Sequence, residues 1–257
     1  MRNIIFTGIL CGVMIVGCRG PVSETKMQVL GDYSNIKLPL SRYKAGVSFE
    51  NRPIECIVLG EGEDVTFILA AIHGNEVAGT PLCHKLISFL DDNRYLMAGK
   101  KVVVMPVANP DGVAAGVRTN ARGVDLNRNF EAANRQNNAR NGMTALTEPE
   151  SVVIKEVIRD HAPDRIVSLH EPLECIDWDG PGEVLARRMG EFCDLPVNRL
   201  GSRPGSLGSY AGLTLGIPII TVEFPRGSGE LADEILWAKY GTMLVTAVVY
   251  PALPALK

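Results

Sequence analysis

Hydrophobic positions recur along this chain with two periods, and the switches between them mark its elements. Residues 54–59 and 65–71 are apolar, β-branched runs of strand length. Between them lies Gly60-Glu61-Gly62-Glu63-Asp64, a turn-rich stretch that predicts a hairpin. Residues 81–90 shift to helical spacing, with Leu82, Leu86, Ile87 and Leu90 on one face. Residues 101–107 form a continuous apolar strand, the kind buried on both sides. Helical spacing returns at 148–161, where Pro149 sits near the start and its missing amide hydrogen costs little. A strand at 165–169 ends at His170, a helix follows at 181–192, and a short helix of small residues at 206–215. A strand at 217–222 ends at Glu223, and a long apolar-faced helix at 231–249 closes the pattern. Strands alternating with helices predict an α/β fold: a single domain built on a mixed, mainly parallel sheet with right-handed crossovers and flanking helices.

Two stretches break the pattern. Residues 109–141 are rich in Asn, Arg and Gly and poor in core residues. So long a polar segment inside a compact domain is usually either functional or disordered. The other is the N-terminus, where Arg2 precedes an apolar run over residues 4–16 that is short for a membrane span. It has the build of a secretory signal. Ile15-Val16-Gly17-Cys18 resembles a bacterial lipobox, in which the chain is cut before the cysteine and the cysteine is lipidated. The alternatives are a plain signal peptide or an uncleaved anchor helix. The expected organisation is therefore a lipoprotein signal peptide at 1–17, a polar tether at 18–40 and a catalytic domain at 41–257. The expected place is the periplasmic side of a bacterial membrane, held through a lipid on Cys18. Arg19 follows that cysteine where no aspartate stands, and by resemblance to Gram-negative lipoproteins this favours the outer membrane.

Composition narrows the picture further. The 257 residues are 46% apolar with a formal charge of −3, enough for one sizeable core and without the basic excess that nucleic-acid binding needs. Cys56, Cys83, Cys175 and Cys193 allow three disulfide pairings in an exported protein, or none if they are buried thiols.

Three of the strands end in ionisable residues: His73 with Glu76 just after it, His170, and Glu223. In a parallel sheet the carboxyl ends of strands share one edge, and ligands gather there. His73, Glu76 and His170 supply two imidazoles and a carboxylate, a donor set for one zinc ion that leaves a fourth position open for water. Glu223, between Val222 and Phe224, is placed to be a general base of raised pKa. In the polar segment Asn109-Pro110-Asp111-Gly112 reads as a turn. Arg118 and Arg128 offer guanidinium groups for a carboxylate or an oxyanion, while Arg122 reads as a solvated surface charge.

The motifs also resemble a known family. His73-Gly74-Asn75-Glu76, Asn109-Pro110-Asp111-Gly112, Arg118-Thr119-Asn120, Gly123 through Phe130, Ser168-Leu169-His170 and Thr221-Val222-Glu223-Phe224 resemble, in order, those of the carboxypeptidase A-like zinc metallocarboxypeptidases. The resemblance spans about residues 50 to 250. Within the family, the short chain and Gly205-Ser206-Leu207-Gly208-Ser209 look most like the bacterial murein peptide amidases. The resemblance implies that His73, Glu76 and His170 bind one zinc ion. It implies that Arg118 steadies the oxyanion, that Asn127 and Arg128 hold the substrate's free carboxylate, and that Glu223 activates water and passes its proton to the leaving amine. Two departures stand out. Digestive members carry an arginine where this chain has Asn75, and a tyrosine in the loop that here reads Arg199-Leu200-Gly201-Ser202-Arg203-Pro204-Gly205. Tyr210, in the next element, reads as packing, as do Trp178 and Trp237. Arg203 is either a contact for an acidic substrate or a surface charge. Glu171 is a candidate to orient a ligand histidine or to meet the side-chain amine of diaminopimelate, or else a solvated loop carboxylate. His84 and His161 receive no role.

The activity expected from this resemblance is hydrolysis of an amide bond to a residue with a free carboxylate, in a small cell-wall peptide. The favoured bond joins γ-D-glutamate to meso-diaminopimelate. The alternative is a zinc deacylase of N-acylamino acids, similar to aspartoacylase and succinylglutamate desuccinylase, which share the His-Gly-Asn-Glu and Asp-Leu-Asn-Arg runs. A binding lipoprotein without turnover is a third reading, opposed by a competent residue at every catalytic position.

Overall fold

The computed structural model describes residues 38–251. The expected signal peptide, Cys18 and most of the expected tether lie outside the described residues. Among the described residues seven strands form one sheet: β1 (Leu40–Val47), β2 (Pro53–Leu59), β3 (Asp64–Ala70), β4 (Lys100–Met105), β5 (Arg165–His170), β6 (Leu173–Asp179) and β7 (Ile219–Pro225). Their order is β1-β2-β4-β3-β5-β7-β6. The four central strands, β4, β3, β5 and β7, run parallel, and β2, β1 and β6 extend them antiparallel. The sheet is mixed, as expected, with its parallel part at the centre.

The hairpin expected between β2 and β3 does not form. β4 lies between them, antiparallel to β2 and parallel to β3. The burial patterns give the reason. β3 is buried without a break from Val65 onward, the habit of a central parallel strand, whereas β2 alternates as a flanking strand does. The glycine-rich turn instead receives the start of β4, with Gly62 N donating to Lys100 O at 3.1 Å and Asp64 N to Gly99 O at 3.2 Å.

Helices cover both faces. α1 (Gly79–Asp92), α4 (Glu183–Gly190) and α5 (Asp233–Val249) pack on one side, where Leu82, Leu86, Met189, Met243 and Leu244 meet Ile68, Val104 and Val222. α3 (Pro149–His161) covers the other side, its Val153, Ile154 and Val157 meeting Phe67, Leu69 and Val103. Pro149 is the first residue of α3, as its lack of an amide hydrogen allows. Among the described residues no helix is long and apolar enough to cross a membrane. Cys56, Cys83, Cys175 and Cys193 are free thiols.

The polar segment folds without much core of its own. The expected Asn-Pro-Asp-Gly turn is the start of α2 (Pro110–Ala115): Asn109 caps it by accepting from Gly112 N at 2.9 Å. Further on, side chains satisfy the backbone. Asn120 Oδ1 accepts from Arg122 N and Val124 N, and Asn129 Nδ2 donates to Asn141 O and Thr147 Oγ1. Arg135 Nη2 donates to the carbonyls of Asn141, Gly142 and Thr144. A buried backbone must find such partners where no helix or strand supplies them.

Gly74 joins this segment to the sheet. A Cβ there would fall 1.9 Å from the carbonyl carbon of Gly112 and 2.3 Å from Val113 N, backbone against backbone. Gly74→Ala must therefore push α2 away from the loop that carries His73. The expected cost is about 2–3 kcal/mol of overpacking, a fall in Tm of roughly 5–10 °C. A thermal melt within 1 °C of wild type, by order of magnitude a few tenths of a kcal/mol, would show that the two loops are not packed this closely.

Candidate active site

The chain leaves β3 through Ala71, whose φ of 51° lies in the left-handed region. A non-glycine residue pays for this conformation only where its neighbours hold it. Here Asn109 N donates to Ala71 O at 3.0 Å, and the turn delivers His73 to the carboxyl edge of the sheet. Glu76 lies three residues on, just before α1. β5 ends at His170, which pairs in register with Glu223 of β7. Parallel pairing thus carries three residues from distant parts of the sequence to one edge.

His73, Glu76 and His170 form a buried cluster whose possible ligand atoms all lie within 4.8 Å of one another. Nδ1 of each histidine is 2.8 Å from Glu76 Oε2, and the two Nδ1 atoms are 3.2 Å apart. Bonds of about 2.0–2.1 Å at tetrahedral angles would set zinc ligands about 3.3 Å apart, so donor type and spacing both fit that ion. The far sides of the rings are held as well. His73 Nε2 is 3.1 Å from Asp125 Oδ1, and His170 Nε2 is 3.0 Å from Ser168 Oγ. These contacts leave Nδ1 of each ring to face the centre. Burial works against charge at Glu76, but the two imidazoles hold its carboxyl well below the usual range. Burial likewise opposes charge on His73, while Asp125 and Glu76 raise its pKa above the ordinary value.

Asp125 is a residue that the sequence reading passed over, and it organises three others. Besides His73, its Oδ2 accepts from Arg118 Nε at 3.0 Å and its Oδ1 from Asn127 N at 3.1 Å. A carboxylate behind a ligand histidine fixes the ring and raises its basicity. Asp125→Asn is expected to weaken zinc binding about 10–100-fold, read by competition with a chelator at pH 7. Unchanged affinity would reduce Asp125 to a turn-former. Its position two residues before Asn127-Arg128 was the only signal available.

A cavity of about 490 Å³ opens beside the cluster. Its wall includes His73, Glu76, His170, Arg118, Asn127 and Arg128, and Glu223 also reaches it. All seven residues expected to carry the chemistry therefore meet in one place. Glu223 is 9% exposed, and burial raises its pKa; Glu76 adds to the rise and His170 opposes it. Arg118 Nη1 lies 2.9 Å from Glu76 Oε1. Asn127 Oδ1 accepts from Leu207 N at 2.8 Å, which leaves its Nδ2 as a donor. Arg128 donates to Asn127 O; burial lowers its pKa, Asp125 opposes the fall, and the neighbouring Arg118, Arg203 and Arg140 add to it. That crowd of guanidinium groups suits an anionic ligand.

The remaining candidates separate. Arg122 lies over the Phe49 ring, 3.7 Å from Glu148, at the surface as expected. Tyr210 stacks on Phe130, and no tyrosine lines the cavity among the described residues. Among the described residues Glu171 makes no hydrogen bond to a histidine: its Oε1 accepts from Ala78 N at 3.1 Å and its own N donates to Glu76 Oε2 at 3.2 Å. Arg203 is exposed at the cavity's rim. Strand β6 was not expected at all, because three acidic residues in seven (Glu174, Asp177, Asp179) hide its alternation. It brings Asp177 and Asp179 into the same cavity.

Comparison with known proteins follows the same lines. Residues 31–176 match the zinc carboxypeptidase family model. Glu223 lies beyond that match. Murein peptide amidase A of Escherichia coli K12 is 35% identical over 185 residues, covering 65% of this chain and 74% of that protein. Gamma-D-glutamyl-L-diamino acid endopeptidase 1 of Lysinibacillus sphaericus is 24% identical over 184 residues, covering 52% of this chain and 46% of that one. Among solved structures, murein-tripeptide amidase from Escherichia coli O157 superposes with a TM-score of 0.64 at 25% identity, covering 85% of this chain and 95% of that chain. Carboxypeptidase A from Helicoverpa armigera shares the fold, with a TM-score of 0.70 at 18% identity over 86% of this chain and 70% of that one.

Proposed function

This chain belongs to the zinc carboxypeptidase family, and we propose that within it the enzyme cleaves the amide bond between γ-D-glutamate and meso-diaminopimelate in cell-wall peptides. That it is a peptide hydrolase follows from the family. One observation carries the site reading: a single cavity joins the His73–Glu76–His170 cluster, Glu223 and the Asn127–Arg128 pair. Two relatives support the substrate, through a murein peptide in one name and a γ-D-glutamyl-L-diamino acid bond in the other.

His73, Glu76 and His170 would hold the zinc ion, with Asp125 and Ser168 fixing the two rings. When bound, zinc lowers the pKa of water to about 7 and polarises a carbonyl. Arg128 and Asn127 receive the free carboxylate of the leaving residue, which sets the scissile bond against the cluster. Glu223 removes a proton from the attacking water and returns it to the leaving nitrogen. Its raised pKa suits it to both halves of that task. Arg118 keeps one edge on Asp125 and Glu76; a guanidinium has five N–H donors, so others remain for the carbonyl oxygen as it gains charge.

The test is digestion of L-Ala-γ-D-Glu-meso-diaminopimelate by the zinc-loaded protein, followed by mass spectrometry. Release of diaminopimelate is the expected result. An intact tripeptide beside trimmed ordinary peptides would overturn the substrate, and release of acetate or succinate from N-acylamino acids would favour the deacylase. The proposal also places the enzyme at a bacterial membrane through a lipid on Cys18. Radiolabelled palmitate should enter the wild-type protein and not Cys18→Ala.

A further inference from the structure

A second cavity, of about 400 Å³, lies against the ligand cluster. Glu76, Arg118, Glu171 and Pro172 line both cavities, so the two meet beside the cluster. Asn127, Arg128 and Glu223 belong to the first cavity and not the second, whereas Arg226 and Glu230 belong to the second and not the first. A peptide whose leaving residue is anchored on Arg128 therefore extends its acyl side into the second cavity.

Arg226 is placed there by the end of β7. The strand stops at Pro225, and Gly227, with a φ of 80°, turns the chain just after Arg226. Glu230 N donates to Gly227 O at 3.1 Å and closes that turn. A Cβ on Gly229 would sit 2.9 Å from Val77 Cγ2 and 3.5 Å from Glu171 Oε1, so the missing side chain keeps this wall open. Arg118 is tied to Asp125 and Glu76. Arg226 differs: it is exposed, and among the described residues its guanidinium has no hydrogen bond or ion pair. It is a cation in a cavity wall with its donors uncommitted.

The chemistry of a γ-glutamyl bond supplies the anion. In that bond the acyl carbonyl comes from the side chain, and the α-carboxylate of the same residue stays free. It stands four bonds of about 1.5 Å from the scissile carbonyl carbon, roughly 5 Å when extended. Arg226 follows Glu223 by three residues, at most about 11 Å of chain, and an arginine side chain reaches roughly 7 Å from its Cα. The two lengths together span that distance. The same α-carbon carries an acylated N–H, for which Glu230 offers an acceptor in the same wall.

We propose that Arg226 is the specificity residue of an acyl-side subsite, which takes a free carboxylate four bonds from the scissile carbonyl. The enzyme then favours peptides in which that carboxylate is ionised and disfavours those in which it is amidated, because an amide keeps the shape and loses the charge. Assigning this carboxylate to γ-D-glutamate rests on the function proposed above; the anion subsite itself does not.

The test is steady-state kinetics of the zinc-loaded full chain on two pairs of tripeptides, all with meso-diaminopimelate as the leaving residue. One pair is L-Ala-γ-D-Glu and its α-amide, L-Ala-γ-D-isoglutamine. The other is the α-linked L-Ala-L-Glu and L-Ala-L-Gln, whose side-chain carboxylate or amide also lies four bonds from the scissile carbonyl. The acid of a cleaved pair should exceed its amide in kcat/KM by about 10-fold, mostly in KM, as a hydrogen bond to a charged group is lost. Arg226→Gln should bring the ratio near one with zinc content intact, and Arg226→Lys should keep part of it. Raising the ionic strength from about 0.05 to 0.5 M should shrink the wild-type ratio, since the pairing is open to solvent. Equal kcat/KM for acid and amide in the wild type overturns the subsite, and cleavage of the γ-linked pair would then leave the γ-glutamyl reading standing. An Arg226→Gln variant that keeps the wild-type ratio overturns the subsite too. If only the α-linked pair is cleaved, with the acid preferred through Arg226, the subsite is supported and the γ-glutamyl reading fails.

Discussion

Glu223→Gln is expected to lower kcat by about 10³-fold, with KM and zinc content close to wild type. The two side chains have the same shape, and the amide oxygen can still accept from Leu173 N, which lies 3.3 Å from Glu223 Oε2. What is lost is the ability to take a proton. Glu223 stands beside the ligand cluster rather than in it, paired in register with His170 on one side and Cys175 on the other. Metal binding should therefore survive while proton transfer fails. Rapid-quench kinetics with metal analysis by mass spectrometry separates the two. Activity within 10-fold of wild type, about 1.4 kcal/mol or less, would remove Glu223 from the role of base. Lost zinc would make it part of the metal site instead.

The second large effect belongs to His170→Ala. Removing one of three donors should weaken zinc binding by more than about 100-fold, beyond the loss expected from a partner behind a ligand, and abolish turnover. Its readout does not depend on activity. A ligand that binds only the folded state at 1,000 times its Kd stabilises by about 4 kcal/mol. In a domain of this size that raises Tm on the order of 10 °C. Wild-type protein stripped by a chelator should regain this increment, and its activity, when zinc is returned. His170→Ala should regain neither. A full thermal response to zinc in the variant would move the metal away from the cluster.

Much of the site was legible because a parallel strand leaves a clear trace. β3, β5 and β7 are mostly apolar, and His73, His170 and Glu223 stand at or near their carboxyl ends. The chain rule that puts strand carboxyl ends on one edge then brings His73, His170 and Glu223 together. Helices α1, α3 and α5 were legible from spacing alone. The polar segment was legible as an anomaly, although its internal order came from side-chain bonds such as Asn129 to Asn141 O, which have no period to read.

Strand order was not legible. Nothing local distinguishes a hairpin between β2 and β3 from the arrangement in which β4 separates them, because the choice depends on which strand is buried on both faces. β6 was hidden for a related reason. An acidic strand looks like a loop until a cavity gives its carboxylates a place. By itself, then, the sequence determined most of the elements, the sheet edge on which His73, His170 and Glu223 meet, and a set of donors of the types that zinc takes. Each of those follows from local pattern and residue type. Only the tertiary structure decided the strand neighbours, the three-way grip of Asp125 and the place of Asp177 and Asp179 in the cavity wall. Those depend on contacts between segments far apart in the chain, where burial and pairing set the energy.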